Sequence, residues 1–114
     1  MRLNLVERIK IMGRDGEFRI EAKVDTGSKR TCIDSTLAKH LGIVPVGRKV
    51  RVLTAAMKRP IERSLAKARI ELKGETHRVL VSLENRSHMK YKAIIGMDII
   101  GHYKLIFIPK GDAV

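Results

Sequence analysis

The stretch that decides the fold is "AKVDTGSKRT", residues 22–31. Just before and within it, Phe18, Ile20, Ala22 and Val24 alternate with Arg19, Glu21 and Lys23. Apolar side chains at every second position predict a half-buried strand. That strand ends on Asp25-Thr26-Gly27, which sets a carboxylate at the rim of a sheet. Gly27 permits a sharp turn and the close approach of another backbone. Thr26 can hydrogen-bond across a neighbouring strand end. Taken alone, the tripeptide reads first as an ordinary turn, because Asp, Thr and Gly are common turn residues. What surrounds it has to separate the two readings.

Working outward, "GRDG" at 13–16 predicts a turn, with residues 3–12 as the hairpin partner of the strand. After it, "IDSTLAKHLGI" shifts to a helical spacing: Asp34 or Ser35 as cap, Leu37, Ala38 and Leu41 as stripe, Gly42 as stop. Residues 49–54, 66–73, 78–83 and 92–96 predict further strands. "MDIIGHY" suggests a short helical turn, and "KLIFI" at 104–108 a closing strand. The expectation is a mainly β protein with one or two short helices, in a single domain over 1–114. No repeat, linker or low-complexity tract interrupts it.

Composition narrows the partners. The chain of 114 residues holds 24 Lys and Arg against 12 Asp and Glu, a formal charge of +12. That favours anionic partners without choosing among them. With no Trp, two Tyr and two Phe, a base-stacking platform is not expected. A lone Cys32 forms no internal disulfide, so a reducing cytoplasm is expected. Nothing adjacent would lower its pKa, so Cys32 reads as a small core residue. "MRLNLVERIK" carries charges too early for a secretory segment. No apolar run approaches the roughly 20 residues of a membrane helix. A cytoplasmic protein that does not enter the membrane is expected.

The wider pattern resembles the retropepsin-like aspartic proteases. It consists of an apolar strand into Asp25-Thr26-Gly27, then Ser28-x-x-Thr31, an apolar "CI" and a helix ending "LGI". "AIIGMDII" follows at 93–100. The resemblance covers roughly residues 16–108. It implies a closed acid-protease barrel with one lobe per chain, Asp25, Thr26 and Gly27 as the catalytic loop, and Ile94, Ile95 and Gly96 packed beside it. Such chemistry uses two carboxylates sharing one proton, whose titration splits into two steps. This chain offers one such triplet, and Asp34 and Asp98 lack the following Thr/Ser-Gly. The second carboxylate is therefore expected from a second copy on a two-fold axis. The terminal "LNLVERI" and "KLIFIPK" are expected to pair at that interface.

A narrower similarity is to the prokaryotic RimB type, often labelled "ATP-dependent zinc protease". It rests on "EAKVDTGSKRT" and "LENRSHMKYKAIIGMDIIG". That family is linked with ligases that add glutamate to protein tails, which implies acidic or glutamylated peptide substrates. Three departures stand out. Ser28, counted with the substrate-binding residues, replaces an Ala, and its hydroxyl either donates to the outer oxygens of Asp25 or bonds only its own turn backbone. Met97-Asp98 replaces Gly-Arg, so an arginine dimer contact there is not implied. The flap, "LTAAMKRPIER" at 53–63, lacks glycine. Met57, Lys58 and Arg59 are expected near its tip over the substrate, although a solvated basic face explains them too. Arg86 either holds a substrate carboxylate or braces a turn. His40, His77, His88 and His102 show no paired-ligand spacing, so neither a metal nor another cofactor is expected. A second reading, from another class, is a non-catalytic nucleic-acid or ribosome-binding module on a protease-like fold. It ranks behind the homodimeric peptidase.

Overall fold

The structure is a computed structural model that describes residues 2–52 and 59–105. A short β1 (Arg2–Leu3) precedes a hairpin of β2 (Val6–Gly13) and β3 (Gly16–Val24). β3 leads through residues 25–31 into β4 (Cys32–Asp34) and then α1 (Ser35–His40). β5 (Pro45–Val52), β6 (Ile61–Leu72) and β7 (Glu75–Glu84) follow as antiparallel neighbours. β8 (Ala93–Ile95), α2 (Met97–Ile100) and β9 (Lys104–Leu105) complete the described chain.

The main sheet has the order β2-β3-β8-β4-β7-β6-β5, and β2 also pairs with β6 through Lys10–Met12. That extra pairing closes β2, β3, β8, β4, β7 and β6 into a barrel. β5 extends from β6 as an arm. Closure removes the unpaired edges an open sheet would expose. The interior follows the period-two pattern: Ile9, Ile11, Ala22, Val24, Ile33, Ala68, Ile70, Val81 and Ile95 are buried. Each fully buried Ile or Val contributes about 1.5–3 kcal/mol over an exposed one.

Local chemistry sets the turns. Lys73 and Gly74 both have positive φ (50° and 82°), the two-residue turn whose twist matches its flanking strands. Asp34 caps α1 by accepting from the Leu37 N–H at 3.1 Å. Gly42, at φ 70°, ends the turn after it.

Several expectations change. Phe18 is 48% exposed, because β8 reaches only Lys23 and Val24 of β3 and covers nothing near its start. The predicted strand over 3–12 breaks at Asn4-Leu5. β5 and β6 start earlier than expected because they pair with each other from Pro45↔Ala66 to Val52↔Ile61. The terminal strands also differ. Arg2–Leu3 pairs in parallel with Lys104–Leu105 of the same chain, and Val6 onward is committed to the barrel beside β3. The rest of "KLIFIPK" lies outside the described residues, as do Met57 and Lys58.

Candidate active site

β8 lies between β3, to which it runs parallel, and β4, to which it runs antiparallel. The chain linking β3 to β4, residues 25–31, therefore crosses the end of β8. The crossing is tight. A Cβ on Gly96 would lie 2.5 Å from the Arg30 carbonyl carbon and 2.7 Å from its oxygen. Only glycine fits there, which is why the apolar pair Ile94-Ile95 closes on Gly96.

Backbone bonds hold the two segments together. Asp25 N–H donates to the Ile95 carbonyl at 2.9 Å, and Met97 N–H donates to the Ser28 carbonyl at 2.8 Å. Asp98 N–H donates to the Lys29 carbonyl at 3.2 Å. Thr31 and Asp98 lock the far side. The Asp98 carboxylate accepts from the Thr31 N–H at 3.0 Å and from its hydroxyl at 2.7 Å. The same hydroxyl accepts from the Gly96 N–H at 3.1 Å. Hydrogen bonds to a charged acceptor each contribute about 1.5–3 kcal/mol, and Thr31 is fully buried. In the sequence Asp98 stands out as a departure from a family pattern and as a carboxylate without a following Thr/Ser-Gly, not as an anchor. A carboxylate in the first turn of a helix, just past Gly96, was the available signal.

The result is an Asp25 that is fixed yet chemically available. It is half-buried, with Thr26 and Gly27 exposed beside it. Gly27 N–H donates to Asp25 Oδ1 at 2.9 Å. That is the one hydrogen bond to its carboxylate among the described residues, so lone pairs remain for a water or a second acid. The Thr26 hydroxyl likewise has no partner among them. Of the two bonds open to Ser28, its hydroxyl makes the local one, donating to the Arg30 carbonyl at 2.8 Å within its own turn. The Arg30 guanidinium is turned away, donating to the Leu80 carbonyl at 3.1 Å.

Of the two roles open to Arg86, the structure places it in the bracing one. Its side chain is buried, Nε donates to the Tyr91 carbonyl at 2.8 Å, and Nη1 meets Glu84 Oε2 at 3.0 Å. Glu84 also binds Arg63 Nη2 at 2.9 Å, so one carboxylate serves two guanidiniums. Lys92 Nζ donates to the carbonyls of Arg86 and Ser87 at 3.1 and 2.7 Å, tightening the same 85–92 loop. Cys32 abuts this network. Burial pushes its thiol up from the ordinary value, which suits a core residue and not a nucleophile. Arg59 is exposed on the arm that leads into β6.

His77 and His102 have ring centroids 5.3 Å apart, but His77 Nε2 is engaged with the Tyr103 hydroxyl. Among the described residues no three His, Cys, Asp or Glu side chains group as metal ligands. No helix of the described residues is long and apolar enough to cross a membrane.

Comparisons with known proteins agree with this geometry. Among solved structures, the fold is similar to a protein of unknown function (DUF785) from Legionella pneumophila. The two are 20% identical with a TM-score of 0.60 over 92% of this chain and 91% of that one. It is similar to the EIAV protease complexed with an inhibitor, 17% identical with a TM-score of 0.61 over 90% and 91% of the two chains. It also matches the foamy viral protease-reverse transcriptase, at 19% identity and a TM-score of 0.63, over 93% of this chain but 13% of that larger one. No curated protein matches the sequence. The family model described as "gag-polyprotein putative aspartyl protease" matches residues 10–102, a span that includes the Asp25 loop, Gly96 and Asp98. The chain belongs to this gag-polyprotein aspartyl protease family.

Proposed function

We propose that the protein is a homodimeric aspartic endopeptidase. The observation that carries this reading is the Asp25 carboxylate. It is fixed at the end of β3, partly exposed, with one backbone donor and unused lone pairs. A single such carboxylate cannot be base and acid at once. Two copies bring two Asp25 side chains together, and their mutual repulsion keeps one protonated while the other is ionised. The ionised one takes a proton from a water that attacks the scissile carbonyl. The protonated one donates to the carbonyl oxygen as the tetrahedral centre forms. Thr26, exposed beside Asp25, lies where a second copy would meet it.

The substrate lies across the Asp25 pair. Met57, Lys58 and Arg59, which fall between β5 and β6 in sequence, are the candidates to contact it, Met57 and Lys58 lying outside the described residues. The formal charge of +12 and the RimB-type resemblance favour acidic or glutamylated protein tails in the cytoplasm. Raising the salt concentration should slow their capture through screening.

Cleavage profiling on a peptide library that includes acidic tails tests the activity. Asp25→Asn should lower cleavage by about 10²–10⁴-fold or more while leaving the fold intact. Sedimentation across a concentration series should show a dimer whose specific activity falls as it dissociates. A fully active monomer, or a fully active Asp25→Asn protein, would overturn the mechanism.

A further inference from the structure

The far end of the barrel carries a feature that the peptidase reading does not use. β3 runs nine residues from Gly16 to Val24, so the β2–β3 turn lies about 30 Å along the strand from Asp25. The turn docks on the end of α1, where Asp15 N–H donates to the Leu41 carbonyl at 3.0 Å. On either side of that contact a cleft opens, one of about 460 Å³ and one of about 600 Å³. Arg14, Gly42 and Ile43 border both, so the two clefts adjoin as arms on either side of the turn. Lys67, Arg69 and Arg78 line the first arm and Lys39 the second.

What sets this surface apart is a facing pair of like charges. Arg69 and Arg78 stand directly opposite each other across β6 and β7. Like charges in such a pair destabilise a sheet. Lys67 follows two residues along the same face, about 6.6 Å away. Farther along that face Lys10 is clamped by Glu17 and Glu71 at 3.2 and 3.1 Å. Among the described residues, no carboxylate comes within ion-pair distance of Lys39, Lys67, Arg69 or Arg78. Asp15, the one carboxylate lining the groove, is taken by Arg14 at 3.1 Å.

We propose that this groove binds the phosphodiester backbone of a nucleic acid. Guanidinium groups present planar forks that match phosphate oxygens. Nucleic acid supplies closely and regularly spaced negative charge whatever its sequence. The groove has no aromatic lining, so contact is with the backbone and is independent of sequence. The site is separate from Asp25 and leaves a substrate free to reach it. It adds a tether to the enzyme and does not depend on the peptidase reading.

Fluorescence anisotropy with a labelled single-stranded oligonucleotide of about twenty residues, over a salt series, tests it. Log affinity should fall linearly with log salt. Arg69→Glu with Arg78→Glu should weaken binding at least about tenfold and lower the salt slope by about two. Arg8→Glu with Lys23→Glu makes the same change in net charge at the Asp25 end of the hairpin. It should stay within about twofold of the parent. Arg69→Gln with Arg78→Gln should show a smaller loss in the same direction, with a thermal midpoint no lower than the parent's because the repulsive pair is gone. Absence of binding, equal losses in both Glu variants, or displacement of the oligonucleotide by poly-glutamate at equal charge would each overturn the proposal. The last would mark the groove as a site for acidic peptides.

Discussion

Two loops meet at β8, and they use their charged groups in opposite ways. Residues 25–31 are anchored by a carboxylate from outside the loop, Asp98, which gathers the Thr31 N–H and hydroxyl. Residues 85–92 are anchored by cations of their own, Arg86 and Lys92, whose donors are spent on carbonyls and on Glu84. In the second loop the donors of both anchoring cations are spent, and Arg86 is buried. In the first, anchoring is delegated to Asp98 and backbone, so Asp25 keeps most of its hydrogen-bonding capacity. The comparison teaches that a loop is free to do chemistry when something other than its reactive residue holds it in place.

The largest expected effect breaks the first loop's chemistry alone. Asp25→Asn should lower kcat by about 10²–10⁴-fold or more, with thermal stability almost unchanged because the carboxylate accepts a single exposed hydrogen bond. Arg86→Ala should do the reverse. It strips one partner from a buried ion pair, which costs about 3–5 kcal/mol, at the lower end because Arg63 still holds Glu84. For the fraction that remains folded, KM should be unchanged. A KM that rises selectively for acidic peptides would return Arg86 to substrate binding. Asp98→Ala falls between the two. It orphans buried donors of Thr31 at about 1–3 kcal/mol each, and by loosening the Asp25 loop it should lower kcat more than it raises KM. Asp98→Asn, which keeps one acceptor oxygen, should recover part of both.

The two loops also differ in how far the sequence announces them. The strand into Asp25 is legible because alternation from Ile20 to Val24 and the abrupt Asp25-Thr26-Gly27 are local signals. Ile94-Ile95-Gly96 is legible for the same reason, and the clash a Cβ on Gly96 would make with Arg30 shows what that glycine answers to. β4 is not legible. Cys32–Asp34 is three residues long, and it is a strand because it fits between β7 and β8. Nothing periodic marks it. Ile61–Leu65 of β6 lacks alternation and takes strand form from β5. The Thr31–Asp98 lock joins residues 67 apart in the chain, so no local pattern encodes it. Arg86 had two readings because an arginine's sequence position does not say whether its guanidinium is buried.

A smaller effect sharpens the account of the second loop. Cys32 donates towards Glu84 at 3.5 Å, and burial is the main cause of its raised pKa. A thiol whose folded pKa lies above its unfolded value, near 8.5, stays protonated in the native state. Its contribution to stability is complete below that value and declines as pH rises through it. Unfolding midpoints measured from pH 8 to 10 should therefore fall, and Cys32→Ala should flatten part of the decline. Alkylation of the native protein should be far slower than of the unfolded chain. Rapid native alkylation would mean that the network around Glu84 opens readily.

The smallest expected effect concerns Ser28, the hydroxyl nearest in sequence to the Asp25 triplet. A donor to the Asp25 carboxylate would favour its charged form and draw the acid limb of the pH–rate profile to lower pH. The hydroxyl instead donates to the Arg30 carbonyl at 2.8 Å, a local side-chain-to-backbone bond of the kind serine commonly makes in turns. Ser28→Ala should therefore leave the acid limb of kcat/KM where it is, since that limb reports groups titrating in the free enzyme. The cost should appear in stability, at about 0.5–1.5 kcal/mol for one lost hydrogen bond. The Arg30 carbonyl also sits against Gly96, so part of that cost reflects a looser crossing of the loop over β8. Profiles of both proteins across the acid range decide the matter. A limb that moves to higher pH in Ser28→Ala would show that the hydroxyl turns towards Asp25 when two copies associate, and the separation between anchoring and reacting groups in this loop would no longer hold.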